Sequence, residues 1–275
     1  MHQDRPTPPS EVAFGEVFRL VFAASTRELL RRRRLLFIGL ACSLPLLLTF
    51  IWRMWGTEHF GAEQIFTNLV SSLYLSALVY VVGLAFGVPT VHDEVEGRTI
   101  TYLFTRPVSK IAVYAGRLAA VQLLAGSLLA LSLVVCFAVM TFGNFSAINL
   151  EFLKTYINHV WVILLATVVL TGLFAIFGTL FKRPLVWGFL YAFGWEGAVA
   201  KFPGKLQVWT LDFHFRNLML REEDVQNNLL DAFRQLLTDQ ADIQWWISLV
   251  VLLVAMVAFT WIGGWVFSRR EYVIN

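Results

Sequence analysis

The residues that could do chemistry in this chain of 275 residues are few and widely spaced. Glu58, His59 and Glu63 are metal-ligand types, but no second cluster with matching spacing accompanies them, so a solvated loop is the simpler interpretation. His92 and Glu96 are four positions apart and have no third ligand nearby in the sequence. These patterns make a metal-dependent or intramembrane enzyme the weaker class of hypothesis.

Nucleotide-binding and nucleophile motifs are also missing. Gly204-Lys205 is followed by leucine and lacks the earlier glycine of a phosphate-binding loop. Neither Cys-x-x-Cys nor Gly-x-Ser-x-Gly occurs. We therefore expect that this chain is not an enzyme and binds no metal or nucleotide itself. Any ATP-driven work would need a second polypeptide that carries the ATP and Mg²⁺.

The composition indicates a membrane protein. Apolar residues make up 57% of the chain, charged residues 15%, and the mean hydropathy is +0.65, all beyond the range of ordinary soluble domains. About 18 consecutive apolar residues can cross the hydrocarbon core of a bilayer. Six segments reach or approach that length: Leu35–Trp55, Leu69–Val91, Leu118–Phe142, Val160–Phe181, Leu185–Ala200 and Trp245–Phe267. The sequence predicts an all-α membrane protein with six transmembrane helices, of which the fifth is short and glycine-rich.

Basic residues divide unevenly between the two sides of the membrane that six spans define. With the amino terminus inside, the inner segments carry 15 Lys and Arg against 8 Asp and Glu, and the outer segments carry 7 against 11. Basic residues concentrate on the cytoplasmic side of membrane proteins. We therefore expect a multi-pass protein of the cell (inner) membrane with both termini in the cytoplasm. The basic balance then requires no nucleic-acid partner.

The connector between the second and third predicted spans, residues 92–117, is the largest on the inner side. It begins with acids that favour the start of a short helix through the helix dipole: Asp93, Glu94 and Glu96. An apolar stripe at i, i+3 and i+4 follows: Ile100, Leu103 and Phe104. Arg106-Pro107 ends that helix, and Ser109 can cap the next one.

This connector resembles the signature of type-2 ABC exporter permeases. The matching residues are Glu96-Gly97-Arg98-Thr99-Ile100, then Leu103 to Lys110, then Gly116-Arg117. Arg98 is inserted where the pattern often runs Gly-Thr directly, and Arg117 replaces the usual lysine. In that family the loop is a coupling helix seated in a cleft of a separate ABC ATPase subunit. The resemblance implies that role for Asp93, Glu94, Glu96, Gly97, Arg98, Thr99, Ile100, Leu103, Phe104, Arg106 and Pro107.

The same resemblance implies an exporter whose translocation path forms between two copies of the chain, as a homodimer in membrane lipid. A plainer interpretation of the connector is a positive-inside loop that contains one helical turn. The rival function is a membrane scaffold or assembly factor that transports nothing and holds a partner through this loop.

We expect residues 1–34 to form a cytoplasmic tail and an amphipathic helix, and residues 35–275 to form the transmembrane domain. The helix has an apolar stripe that lies on the inner leaflet while charged residues fall elsewhere. The resemblance implies a connecting helix that also contacts the ATPase, through Phe14, Phe18, Phe22 and Arg27. The alternative is an interfacial anchor.

The outer region 194–243 is the longest stretch outside the spans. Its second half, from Val225 to Leu237, has the apolar spacing of a surface helix, and the family implies short outer helices that re-enter the membrane and close the exit. Glu196 is an acid within or at the edge of a span, which makes it a candidate for the outer gate; the alternative places it among the lipid headgroups.

Gly83 and Gly87 in the second predicted span have the small-xxx-small form of either a dimer seam or an internal helix contact.

Overall fold

The computed structural model of the chain describes residues 14–31, 34–55, 62–96, 109–142, 149–199, 205–219 and 244–269. Every regular element in these residues is helical, and they contain no strand. The prediction of an all-α protein is confirmed.

The helices follow one another in a simple order. They are α1 (Phe14–Arg31), α2 (Arg34–Trp55), α3 (Ala62–Leu69), α4 (Val79–Gly87), α5 (Pro89–Glu96), α6 (Lys110–Thr141), α7 (Leu150–Leu180), α8 (Pro184–Phe189), α9 (Leu211–Leu218) and α10 (Trp245–Arg269). The π-helical segments Val70–Leu78 and Leu190–Val199 continue α3 and α8, and a 3₁₀ turn, Lys205–Trp209, precedes α9.

Five of the described helices are long and apolar enough to cross a membrane. They are Leu35–Met54, Glu63–His92, Lys110–Thr141, Leu150–Leu180 and Trp245–Arg269. The second of these combines α3 to α5, and we call it the 63–92 helix. Several begin well before the predicted apolar segment, because the helical hydrogen bonding continues beyond the hydrocarbon core into polar sequence.

The predicted fifth span is shorter than the others. It is helical from Pro184 to Val199, with 6 residues in α8 and 10 in the π-helical continuation. At about 1.5 Å per residue this 184–199 helix is about 24 Å long, less than the hydrocarbon core of about 30 Å. The described residues therefore contain five helices long enough to cross a membrane, and a sixth span at 184–199 stays a prediction.

The bundle has two distinct ends, which we call the α1 end and the α9 end. At the α1 end, an added Cβ on Gly116 of α6 would meet the backbone of α1 at 2.9 Å, and Tyr114 packs on Phe267 of α10 with ring centroids 5.9 Å apart. At the α9 end, Thr155 of α7 donates to Glu63 over 2.8 Å. The ends of α5, α7 and α10 and the start of α6 therefore lie together beside α1.

A buried polar chain ties three helices together inside the apolar core. The Tyr74 hydroxyl in the π-helical segment is 2.7 Å from the Ser132 hydroxyl of α6, which donates to the Cys42 carbonyl of α2 over 3.0 Å. Buried polar groups are costly unless they are hydrogen-bonded, and these are. The chain fixes the rotation of α2 and α6 relative to the 63–92 helix.

Close backbone contact joins α4 to α7. A Cβ added at Gly87 would lie 2.8 Å from the Thr171 carbonyl oxygen, and one at Gly83 would lie 3.0 Å from the Phe174 ring. From the other side, a Cβ on Gly178 would overlap the Val88 carbonyl. The Gly83–Gly87 face therefore makes an internal helix contact of the kind that small residues permit.

Candidate functional site

The α1 end carries the surface from which the predicted coupling connector leaves the bundle. Val91 of α5 is 1% exposed and packs with Tyr114, Leu118, Ala175 and Phe267 from α6, α7 and α10. α5 is thus anchored to three membrane helices just before the connector begins. A displacement of the connector would act directly on this anchored helix.

The acids that begin the connector belong to α5. Asp93, Glu94 and Glu96 lie in the second half of α5. α5 begins at Pro89, which suits a first helical position because its missing N–H has no partner there in any case. The helix predicted to follow them, with Ile100, Leu103 and Phe104, lies outside the described residues, so the role of these acids at its start stays a prediction.

The remaining predicted coupling residues lie outside the described residues and stay predictions: Gly97, Arg98, Thr99, Ile100, Leu103, Phe104, Arg106 and Pro107. Where the description resumes, Ser109 has extended backbone, and its hydroxyl accepts from the Ala112 N–H over 3.4 Å. The predicted cap at Ser109 is confirmed.

The predicted amphipathic helix at the amino terminus is present as α1, and it packs on α6. Val17 is buried against Ala112 and Val113 at the start of α6. The side chains of Phe18 and Phe22 stack with ring centroids 6.2 Å apart. These contacts place α1 next to the point where the connector returns to the membrane.

Two of the four predicted contact residues of α1 are open to a partner. The Phe14 side chain is 53% exposed and Arg27 is exposed, whereas Phe18 and Phe22 are half-buried. An ATPase contact at α1 stays a prediction, and within the described chain Phe14 and Arg27 are its accessible members.

The second candidate site, at the α9 end, is built around Glu196. Its side chain is 2% exposed and accepts hydrogen bonds from the Tyr191 hydroxyl at 2.5 Å and from the Leu211 and Asp212 backbone N–H groups at 3.0 Å each. The first two backbone N–H groups of α9 thus donate to the buried carboxylate of Glu196. The Glu196 carboxylate is therefore hydrogen-bonded by groups of the protein itself.

Every backbone donor at the start of α9 has a partner. Glu196 accepts from the first two residues, the Thr210 hydroxyl accepts from Phe213 at 3.3 Å, and the Thr210 N–H donates to the Gln207 carbonyl at 2.9 Å. The first N–H groups of a helix have no intrahelical acceptor, and a carboxylate there is also favoured by the helix dipole. Glu196 therefore holds the start of α9 against the 184–199 helix.

An arginine that is ion-paired within α9 also connects α9 to the 63–92 helix. The Arg216 Nε donates to the Asp212 carboxylate over 2.6 Å, and its terminal nitrogen donates to the Ser76 hydroxyl over 2.6 Å. The Tyr80 hydroxyl, one turn along from Ser76, and the second Asp212 oxygen are buried without a hydrogen-bond partner in the described structure.

α9 is also fixed to α10 and α7. The His214 ring nitrogens lie 3.0 Å from the Ser248 hydroxyl and 3.0 Å from the Val208 carbonyl, and Asn158 of α7 donates to the Leu218 carbonyl over 3.1 Å. Burial lowers the pKa of His214, an effect that the Val208 carbonyl partly opposes. A neutral imidazole donates to Val208 and accepts from Ser248.

Sequence reasoning placed Glu196 at this end of the protein but missed α9 itself. The available signal was Thr210 followed by Asp212 and Arg216, a capping residue before an i, i+4 ion pair. The predicted helix between Val225 and Leu237 lies outside the described residues. Glu63, considered above as a metal ligand, accepts a hydrogen bond from Thr155 instead.

Comparison with known proteins agrees with this architecture. Residues 29–194 match the family model described as ABC-2 family transporter protein. The match covers more than half of the chain and includes the whole connector. The chain belongs to the ABC-2 transporter family. No curated protein matches it.

Family and fold together define the class of protein. The chain is a multi-pass, permease-type membrane component of an ABC transporter. Membrane components of this family are in general non-catalytic subunits and associate with an ABC ATPase subunit.

Proposed function

We propose that this chain is the permease subunit of an ATP-driven exporter. Two identical copies form the translocation path, and a separate ATPase carrying ATP and Mg²⁺ docks at the α1 end through the connector between α5 and α6. The α1 end faces the cytoplasm in the inner membrane, as the excess of basic residues in its segments indicates.

One observation supports this proposal above the others. The 63–92 helix carries the connector at its end and holds α9 through Ser76 at about its middle. A single helix therefore joins the surface where an ATPase would bind to the helix that Glu196 holds in place. A scaffold without transport would have no need for such a connection.

The mechanism follows the order of these contacts. Closure of the ATPase dimer pushes the connector, and α5 passes the displacement to α6, α7 and α10 through Val91. The 63–92 helix shifts against α7 along the Gly87 contact, and the Ser76–Arg216 bond moves α9. Separation of α9 from Glu196 opens the outer gate.

A charge in the apolar stripe of the connector tests the docking step. Leu103→Asp should reduce co-purification of the ATPase by about tenfold or more, because an unpaired carboxylate in an apolar contact is costly to bury. Leu103→Met keeps the apolar volume and should bind as the parent does. Thermal unfolding of the isolated chain should be the same for all three proteins.

The docking assignment is wrong if Leu103→Asp binds the ATPase and supports transport as the parent does. The scaffold alternative is separated by a second readout, the ATPase rate of the complex with and without a transported compound. An exporter shows stimulation of that rate, and a scaffold has no reason to.

A further inference from the structure

An apolar slot runs along the 184–199 helix on the side that faces α7. It has a volume of about 410 Å³, within the range of about 300–1,000 Å³ that small-molecule sites occupy. Its walls include Phe177 and Phe181 of α7 and Trp187, Tyr191, Trp195 and Val199 of the 184–199 helix. Trp187 is 49% exposed and Trp195 is 47% exposed, so the slot is open along one side.

The walls offer few hydrogen-bonding side chains to a ligand, and apart from Tyr191 these are the indole N–H donors of Trp187 and Trp195. Tyr191 has the one hydroxyl in the lining, and it donates to Glu196. A sugar or peptide has many polar groups, and two indole donors and one tyrosine hydroxyl could replace only a small part of its hydration, which costs free energy. A hydrocarbon chain or another apolar group loses nothing, so the slot selects for an apolar occupant.

Two positively charged residues lie where the slot approaches the α1 end of the bundle. Phe181 and Trp187 stack with ring centroids 5.1 Å apart, and the exposed residues Lys182 and Arg183 form the turn between them. Neither cation forms an ion pair within the described part of the chain. An apolar slot with two cations at its mouth is complementary to an amphiphile with an anionic head.

The length of the slot matches one lipid leaflet. The roughly dozen residues from Trp187 to Val199 extend about 18 Å at 1.5 Å per residue, compared with about 15 Å for half of the hydrocarbon core. With Lys182 and Arg183 at headgroup level, a hydrocarbon chain in the slot would run along Trp187 and Tyr191 toward Glu196. The far end of the slot thus lies beside the carboxylate that holds α9.

We propose that this slot takes up an anionic lipid from the leaflet at the α1 end, with the headgroup at Lys182 and Arg183 and an acyl chain along the aromatic walls. Binding of the lipid in the slot does not depend on the proposed function. The further step, in which this lipid is the substrate that the exporter transports, rests on the proposed function. A second copy of the chain covering the slot is the competing occupant.

Photo-crosslinking in lipid nanodiscs tests the binding step without any ATPase. The probes are phosphatidylglycerol and phosphatidylcholine that carry the same diazirine-labelled acyl chain, and labelled peptides are mapped by mass spectrometry. Labelling of 177–199 is normalised to labelling of α2, whose exposed apolar side chains report ordinary lipid contact. Each basic residue beside an anionic lipid contributes about a fivefold preference. We therefore expect the slot to favour phosphatidylglycerol by about five- to thirtyfold.

Matched variants locate the effect. Lys182→Gln with Arg183→Gln should bring the preference down to the α2 level, whereas Arg269→Gln, a cation at the same end beside Trp265, should leave it unchanged. Gly194→Leu should fill the slot and reduce labelling by both lipids severalfold. Gly197→Leu, on the same helix but outside the lining, should not.

Three results would overturn the proposal. One is a phosphatidylglycerol preference at the slot no greater than that at α2, which means ordinary lipid contact only. Another is equal labelling of the Gly194→Leu variant and the parent. The third is chain-to-chain crosslinks from slot residues in place of lipid adducts, which would assign the slot to a second copy.

The transport step has its own readout. In the complex with its ATPase, phosphatidylglycerol should raise the ATPase rate, and the Lys182→Gln, Arg183→Gln variant should lose that stimulation. Slot binding without stimulation would overturn the assignment as substrate. Failure to isolate any ATPase would contradict the proposed function and leave the binding result intact, so the two failures are distinguishable.

Discussion

Replacement of Glu196 by glutamine tests whether this carboxylate holds α9 in place. One carboxylate oxygen accepts from Tyr191 and Leu211, and the other accepts from Asp212. An amide has the same shape but turns one acceptor into a donor. In either orientation of the amide, at least one buried donor at the start of α9 then faces another donor.

The expected magnitude follows from that lost acceptor. A buried polar group left without its partner costs about 1–3 kcal/mol. Since about 1.4 kcal/mol is a factor of ten, local opening of α9 should become about 5- to 150-fold more frequent. Loss of the negative charge at the helix start adds about 0.3–1 kcal/mol in the same direction.

Hydrogen–deuterium exchange measured by mass spectrometry in nanodiscs reports this opening. Peptides from 205–219 should exchange faster by the stated factor in Glu196→Gln, and α7 peptides should be unchanged. Glu151→Gln is the matched control, because Glu151 is an exposed acid in a surface ion pair with Lys154. Exchange of 205–219 within about twofold of the parent in Glu196→Gln would refute the assigned role.

Three further perturbations address other contacts. Gly87→Val should destabilise the fold by about 1–3 kcal/mol in thermal unfolding, since its Cβ would lie 2.8 Å from a backbone oxygen of α7, whereas Gly39→Ala, with open space around it, should have no such effect. Gly116→Leu should detach α1 from α6, which limited proteolysis of 14–31 would detect while the unfolding temperature of the bundle stays constant; unchanged cleavage would contradict the packing. Burial lowers the pKa of His214 in the folded state, so its contribution to stability is complete above the unfolded pKa of about 6.5 and is lost as the pH falls below it. His214→Gln should flatten the decline of unfolding temperature on the acid side, and an identical decline in both proteins would count against this role.

The sequence predicted the membrane helices well because hydropathy adds up over some twenty residues and tolerates local errors. The helix start after Ser109 was also predicted correctly, because a single capping side chain determines where that helix begins. The helix type and amphipathic pattern of α1 were likewise readable. What the pattern of α1 could not show is that Val17 packs on α6, because its neighbours Ala112 and Val113 lie almost a hundred positions away in the sequence.

The candidate sites were harder to predict because their residues are far apart in the sequence and meet only in the folded chain. Glu196 could be identified as unusual, but its partners Leu211 and Asp212 become neighbours only after the chain turns back. The charge of the connector acids favours a helix start, but it could not show that these residues already belong to α5, which begins at Pro89. The slot beside Trp187 arises from two helices and has no signature in either one alone.

The proposed function requires two copies of this permease and a bound ATPase. The most direct measurement is the native mass of the tagged chain purified from membranes in mild detergent, with mass spectrometry to identify its partners. We predict two copies of this chain with two copies of a subunit that carries a phosphate-binding loop. A lone chain, or a complex with a partner that lacks such a loop, would contradict the account.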